Sequence, residues 1–285
     1  MVVTAFRSSG FVSSIGVNTH LNDILGPYGD LGLVTSELTY LGLGAIRDTN
    51  AYSWTVGTYT ALAKAGFKLD IIAAHDPGEE LGNGGLARDL SSIHQIVAAV
   101  PGSVIGIEGQ NEPHNFPDTW NGQPITNWQV VNDVQQVTYA AIRSDPVLAA
   151  IPVLNTSVET WSMTGRAPDM SQNADFGSAH VYPYSGNQPL DWLTSVLADQ
   201  RLLLPAKRDW VTEFGYSSTP GDASYGSTPQ PKQRTPSTGF STLLRSVCRG
   251  RFSTSSWMKL RRSRPTRPGA RLACSTPMDR LSRSR

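Results

Sequence analysis

Two glutamates stand where apolar runs stop. Residues 104–113 read Val-Ile-Gly-Ile-Glu-Gly-Gln-Asn-Glu-Pro and end on Asn111-Glu112-Pro113, and residues 210–215 read Trp-Val-Thr-Glu-Phe-Gly and deliver Glu213. A carboxylate and a carboxylic acid facing each other across a sugar ring are the requirement of glycoside cleavage with retention. One attacks the anomeric carbon and the other protonates the leaving oxygen, with the two groups about 5 to 5.5 Å apart. The bland alternative is an ordinary buried carboxylate pair.

Groups so far apart in the chain need a scaffold that brings them together. Apolar runs bounded by turn residues alternate with amphipathic stretches, the pattern of βα units around a parallel sheet. Seven strands are predicted, at 12–20, 45–49, 68–75, 104–111, 151–158, 176–182 and 209–215. Helices are predicted at 33–41, 58–65, 86–100, 128–144 and 189–203, where apolar residues recur three and four apart. Gly66, Pro101-Gly102 and Pro146 punctuate helix ends.

The fold expected is α/β, a (β/α)8 TIM barrel incomplete at its eighth βα unit, with strands one to seven in a domain over 1–237. Such a barrel needs about 250 residues, so 285 residues with 39% hydrophobic content suffice for one. An open doubly wound sheet would show a glycine-rich phosphate loop after its first strand, and Gly16-Val-Asn-Thr-His20 is not one. Barrel chemistry sits at the carboxyl ends of strands, where Glu112 and Glu213 both fall.

With these elements in place, the residues resemble a known family, the clan A retaining glycoside hydrolases, which include cellulase-like family 5 and family 39-like barrels. Asn111-Glu112-Pro113 resembles the strand-four motif whose glutamate is the acid/base and whose asparagine binds the sugar 2-hydroxyl. Thr212-Glu213-Phe214-Gly215 is similar to the strand-seven nucleophile motif. His180-Val-Tyr182 resembles a strand-six His-x-Tyr whose tyrosine donates to the nucleophile, and Arg47 matches an arginine at the end of strand two. The resemblance covers about 11–217. It implies a hydrolase that cleaves a β-linked poly- or oligosaccharide by double displacement, with Glu112 and Glu213 catalytic. The alternative kept beside it is a non-catalytic or degenerate glycan-binding barrel.

Charge sets what the neighbours must do. Arg47 and the Tyr182 hydroxyl would keep Glu213 ionised, whereas Glu112, facing a charged partner, is expected to have a raised pKa. Glu108 shares strand parity with Glu112 and so should face the interior, as a structural carboxylate bridged to Glu213 by Arg47. His75, at the end of strand three, is a candidate substrate contact or a structural histidine. Asn155 reads as a plain strand or loop residue. Flat aromatic faces suit pyranose rings, which makes Trp54, Trp120 and Trp161 candidate platforms; Trp128 reads as core.

No metal or other cofactor is expected. His20, His75, His94, His114 and His180 are scattered, and His20 stands alone on strand one, where a metal-dependent barrel hydrolase would place His-x-His. The acidic loop 76–85 lacks a regular calcium-ligand spacing. Neither Cys248 nor Cys274 belongs to a Cys-x-x-Cys pair.

The last 48 residues break the pattern. Residues 1–237 carry 12 basic and 22 acidic side chains, whereas 238–285 carry 12 basic and one acidic, Asp279. The segment is rich in Arg, Ser, Thr and Pro, as in a disordered basic tail. A shift of reading frame between 217 and 240 would produce the same break. Read one nucleotide earlier, the codons of Trp257-Met258-Lys259 spell Leu, Met or Val and then Asp-Glu, which suits a strand end at a barrel mouth. A chain lacking a native eighth strand is expected to be poorly stable or inactive, because each lost buried side chain removes about 1.5 to 3 kcal/mol.

The expected partner is a carbohydrate substrate, bound by a monomer. Basic tails can bind nucleic acid through phosphates, but no base-reading motif accompanies this one. No apolar run reaches about 18 residues, and residues 1–7 lack a leader's apolar stretch. The substrate class favours secretion.

Overall fold

The computed structural model describes residues 8–49, 52–74, 80–115, 117–157, 165–183 and 188–215, together with the strand backbones 256–259, 261–262 and 272–273. The barrel strands are β1 (Ile15–Asn18), β2 (Ala45–Asp48), β3 (Lys68–Ala74), β4 (Val104–Gln110), β5 (Val153–Leu154), β6 (Phe176–Val181), β7 (Arg208–Phe214) and β8 (Ser256–Lys259). Five helices alternate with them: α1 (Leu31–Leu41), α2 (Val56–Lys64), α3 (Leu86–Ala99), α4 (Trp128–Ser144) and α5 (Pro189–Leu203). Every strand pairs parallel with its neighbours, and β8 joins β7 to β1 to close the ring.

All seven expected strands are present, the first and the fifth shorter than expected by several residues. Residues Ser8–Val12 form a helical turn in place of the start of strand one. The fifth strand is two residues long, although its direction continues. Asn155 N–H donates to the Phe176 carbonyl at 2.8 Å and Ser157 N–H to that of Gln110 at 3.1 Å. Pro152, just before it, has no N–H to give to a ladder.

The basic segment was expected to supply no strand, yet Ser256–Lys259 pairs with both β1 and β7. The gap between those strands exposes two rows of unpaired backbone groups, and a short extended segment satisfies both. No helix follows β8 among the described residues, so the eighth βα unit is incomplete there. The rest of 216–285, apart from two short pairs, lies outside the described residues.

The main core lies between strands and helices. Val17, Ile46, Leu69, Ile71, Ile107 and Val153 meet Leu38, Leu62, Ile93, Ile96, Val131 and Ile142, all of them buried. Trp128 is buried in it, as expected. A smaller cluster, Val181, Leu193, Val211 and Phe214, packs under α5. Helix starts are capped by side chains that satisfy free N–H groups: Asp30 accepts from Leu33 N–H at 3.0 Å, and Asn127 from Val130 N–H at 3.1 Å.

Strand β4 shows which parity faces inward. A Cβ on Gly109 would strike the Gln135 Oε1 of α4 at 2.0 Å, so that side faces the helices. A Cβ on Gly106 would meet Asp70 of β3 at 2.5 Å. Glu108 follows Gly106 by two residues and shares its face.

Candidate active site

Arg47 is the hub. It arrives near the end of β2, whose four residues are all buried, and is itself only 3% exposed. Its Nε and Nη2 donate to the two oxygens of Glu108 at 2.6 and 2.8 Å, in the fork geometry that suits guanidinium and carboxylate. Nη1 donates to Glu213 Oε1 at 2.7 Å, and Nη2 also reaches Asn111 Oδ1 at 2.9 Å. Burial acts to lower the Arg47 pKa, but the charges of Glu108 and Glu213 outweigh it and raise it, so the guanidinium is a permanent cation. The expected bridge from Glu108 to Glu213 is present.

Glu112 stands just past β4 with φ of 48°, a positive value rare for a side-chain-bearing residue. Its N–H donates to the Ser157 carbonyl at 2.9 Å and lies 3.3 Å from the Ser157 hydroxyl, so the loop after β5 supports this backbone. The carboxylate takes Asn115 Nδ2 on Oε2 at 3.3 Å and His180 Nδ1 on Oε1 at 2.6 Å. This corrects the expectation of a raised pKa. Burial pushes Glu112 up, but the hydrogen bond and charge of His180 prevail over it and over the repulsion of Glu213, so the pKa is lowered. The sequence placed His180 in the site without showing that it would bind the acid/base candidate directly.

Glu213 reaches the same space through an irregularity in β7. Ala179 of β6 is in register with Val211, and His180 with Glu213, so Thr212 is an extra residue on β7. Bulges beside active sites re-aim side chains. Here Thr212 Oγ1 pairs with Ser178 Oγ at 2.7 Å, while Glu213 takes Arg47 on one oxygen and the Tyr182 hydroxyl on the other. His180 Nε2 lies 3.7 Å from Glu213 Oε1, so one imidazole spans the two carboxylates. A carboxylate oxygen of Glu112, one of Glu213 and a His180 ring nitrogen all lie within 4.8 Å of one another.

Those three groups have a spacing that could take a metal ion. The fixed charge of Arg47, 2.7 Å from Glu213, repels a second cation there. His114 adds a weakly basic neighbour, its pKa lowered by burial and by His180 against the pull of Glu112.

Asn111, with Oδ1 on Arg47, retains Nδ2 as a donor group; it is buried at the mouth. Trp54 is 54% exposed and stacks face to face on Tyr52 at 5.4 Å, an accessible aromatic plate in the loop after β2. Trp120 lies in a hairpin after β4 and packs against the core. Asn155 is fully buried. His75 and Trp161 lie outside the described residues. Ser157, Ser178, Asn115 and Asp70 were not foreseen. Of these, only Asp70 carried a signal, as a charged residue inside an apolar strand.

Residues 80–85 are organised by Glu80, whose carboxylate accepts from Gly82, Asn121 and Gly122 N–H and from the Thr119 hydroxyl at 2.7 to 2.9 Å. These bonds join it to the hairpin after β4.

A parallel barrel thus gathers two strand-end glutamates, an arginine and a His-x-Tyr around one space. Solved structures agree at the level of fold. A β-xylosidase from Caulobacter crescentus CB15 superposes with a TM-score of 0.51 at 17% identity, over 74% of this chain and 54% of that one. A β-glucuronidase from Lactobacillus rhamnosus gives 0.57 at 12% identity, over 93% and 46%. A β-glucuronidase from Bacteroides uniformis gives 0.55 at 11%, over 85% and 30%. The chain thus corresponds to about half or less of each of these structures. No family model matches the sequence, and neither does any curated protein.

Proposed function

We propose that this chain is a retaining O-glycoside hydrolase acting on a β-linked poly- or oligosaccharide, with Glu213 as nucleophile and Glu112 as acid/base. The observation that carries the reading is the approach of the two carboxylates to within 4.8 Å, suited to direct attack on an anomeric carbon between them. In the first step Glu213 bonds to that carbon as the glycosidic bond breaks, and the leaving oxygen takes a proton from Glu112. In the second, Glu112 takes a proton from water, the resulting oxygen attacks the anomeric carbon, and Glu213 leaves as a carboxylate. Arg47 and Tyr182 stabilise the ionised nucleophile before attack and after release. Asn111 Nδ2 faces the sugar 2-hydroxyl, while Tyr182, His180 and the Tyr52–Trp54 plate frame the substrate. His180 Nδ1, 2.6 Å from Glu112 Oε1, fixes the direction of the Glu112 carboxyl toward the leaving oxygen.

A glycan-binding barrel without turnover is the second reading, favoured by an eighth unit in which no helix follows β8 among the described residues. Incubation with a 2-fluoro glycosyl donor separates the two. A covalent sugar mapped to Glu213 supports the hydrolase, and folded, glycan-retaining but unlabelled protein supports the binding barrel. The chain is expected to work as a monomer, without cofactor, nucleic acid or membrane; no described helix is long and apolar enough to cross one.

A further inference from the structure

Asp70 lies in the middle of β3, in register with Arg47 of β2 on one side and Gly106 of β4 on the other. It is fully buried, and neither of its carboxyl oxygens meets a hydrogen-bond donor among the described residues. The side chain occupies room that only a glycine on β4 leaves: Oδ1 lies 2.5 Å from where a Cβ of Gly106 would sit. Two residues further along the same face of β4 is Glu108, both of whose oxygens already accept from Arg47, one of them also from the Ser178 hydroxyl at 3.2 Å.

The titratable groups that face Asp70 are therefore Glu108 from β4 and Arg47 from β2. All the Arg47 nitrogens are engaged elsewhere, on Glu108, Glu213 and Asn111. An ionised Asp70 would be a buried charge with no donor, pressed against another carboxylate. A protonated Asp70 has one O–H, and Glu108 is the acceptor it faces.

We propose that Asp70 keeps a proton, donates it to Glu108, and in this way acts as a positioning residue for the nucleophile. The hydrogen bond takes up part of the Glu108 charge, so that Arg47 is drawn less strongly to Glu108 and acts more fully on Glu213. The inference rests on the reading of Glu213 as nucleophile. Burial first, then the Glu108 charge, push the Asp70 pKa well above its ordinary value, with Arg47 pulling the other way. With Asp70 neutral, Arg47, Glu108 and Glu213 carry a single net negative charge, which is the one that the attack uses.

Infrared spectra of the whole chain near neutral pH test the proton without needing turnover. The carbonyl stretch of a protonated carboxyl is expected in the native chain and should vanish in Asp70→Asn; no such difference overturns the proposal while leaving the glycosidase reading intact. In activity, Asp70→Leu is expected to lower kcat/KM about 10- to 100-fold and to move the acid limb of its pH profile upward, because Glu213 loses part of Arg47. Asp70→Asn, which keeps a neutral donor of the same shape, should restore kcat/KM to within about threefold, with the limb back in place. An Asn variant whose kcat/KM falls more than about tenfold below the native value overturns the proposal, whether or not the Leu variant folds. A carbonyl band present in native protein that never labels at Glu213 overturns the glycosidase reading and the positioning role with it.

Discussion

Arg47 Nη1 donates to Glu213 Oε1 at 2.7 Å, joining residues 166 positions apart in the chain and the ends of β2 and β7. The same guanidinium grips Glu108 through two further bonds, so one buried cation serves two buried carboxylates.

Arg47→Met should therefore leave two buried carboxylates without their cation. A destabilisation of about 3 to 5 kcal/mol is expected for breaking such a buried pair, read as a lower denaturant midpoint. Arg47→Lys keeps the charge but not the fork, and should recover only part of the loss. Equal midpoints for native and Met variants would show that the network contributes nothing to stability.

Removal of either glutamate should have distinct consequences. Glu213→Ala is expected to lower kcat by at least about a thousandfold, with azide restoring turnover and giving a product of inverted configuration. Glu112→Ala with azide should give a product of retained configuration on substrates with good leaving groups. Identical stereochemistry from the two variants would remove the assignment of roles.

His180→Ala should raise the Glu112 pKa, because burial and the Glu213 charge remain while the hydrogen bond and charge that lower it are gone. Carboxyl-labelled NMR titration of Glu112 reads the change directly, and a curve that does not move shows that His180 is not its cause. The sign for stability follows. A folded-state pKa below the unfolded value of 4.5 contributes stability above that value, and the contribution is lost as pH falls through the folded one. Glu112→Gln should flatten that part of the acid-unfolding curve.

Asp209 behaves in the opposite sense. It is buried at the start of β7, and burial, against Arg201, raises its pKa from 3.8 to about 6. Its contribution is fully present below 3.8 and is lost as pH rises through about 6. Asp209→Asn should therefore stabilise the protein at pH 7 to 8 by up to about 3 kcal/mol, with the gain vanishing in acid. A melting temperature unchanged at neutral pH would show that the carboxylate is better solvated than its burial implies.

The alternation of apolar runs with helical stretches was enough to lay out the barrel, because strand and helix periods are local properties of the chain. Glu112 and Glu213 were visible for the same reason: each ends an apolar run, and strand ends of a parallel barrel face one mouth. The parity of Glu108 with Glu112 likewise placed Glu108 inside.

What the chain does not show locally is who touches whom. The lowered pKa of Glu112 comes from a histidine 68 residues away on another strand. The extra Thr212 on β7 is an insertion relative to the neighbouring strand, and it has no meaning until β6 lies beside it. The donorless burial of Asp70 depends on a missing side chain at Gly106, one strand over. Pairing of β8 with β1 and β7 is decided by unpaired backbone edges rather than by side-chain pattern, which is why the composition of the basic segment gave no sign of a strand. Sequence alone determined which groups could do chemistry and on which face; only the closed ring of strands determined their protonation, because charge, burial and hydrogen bonding act across space.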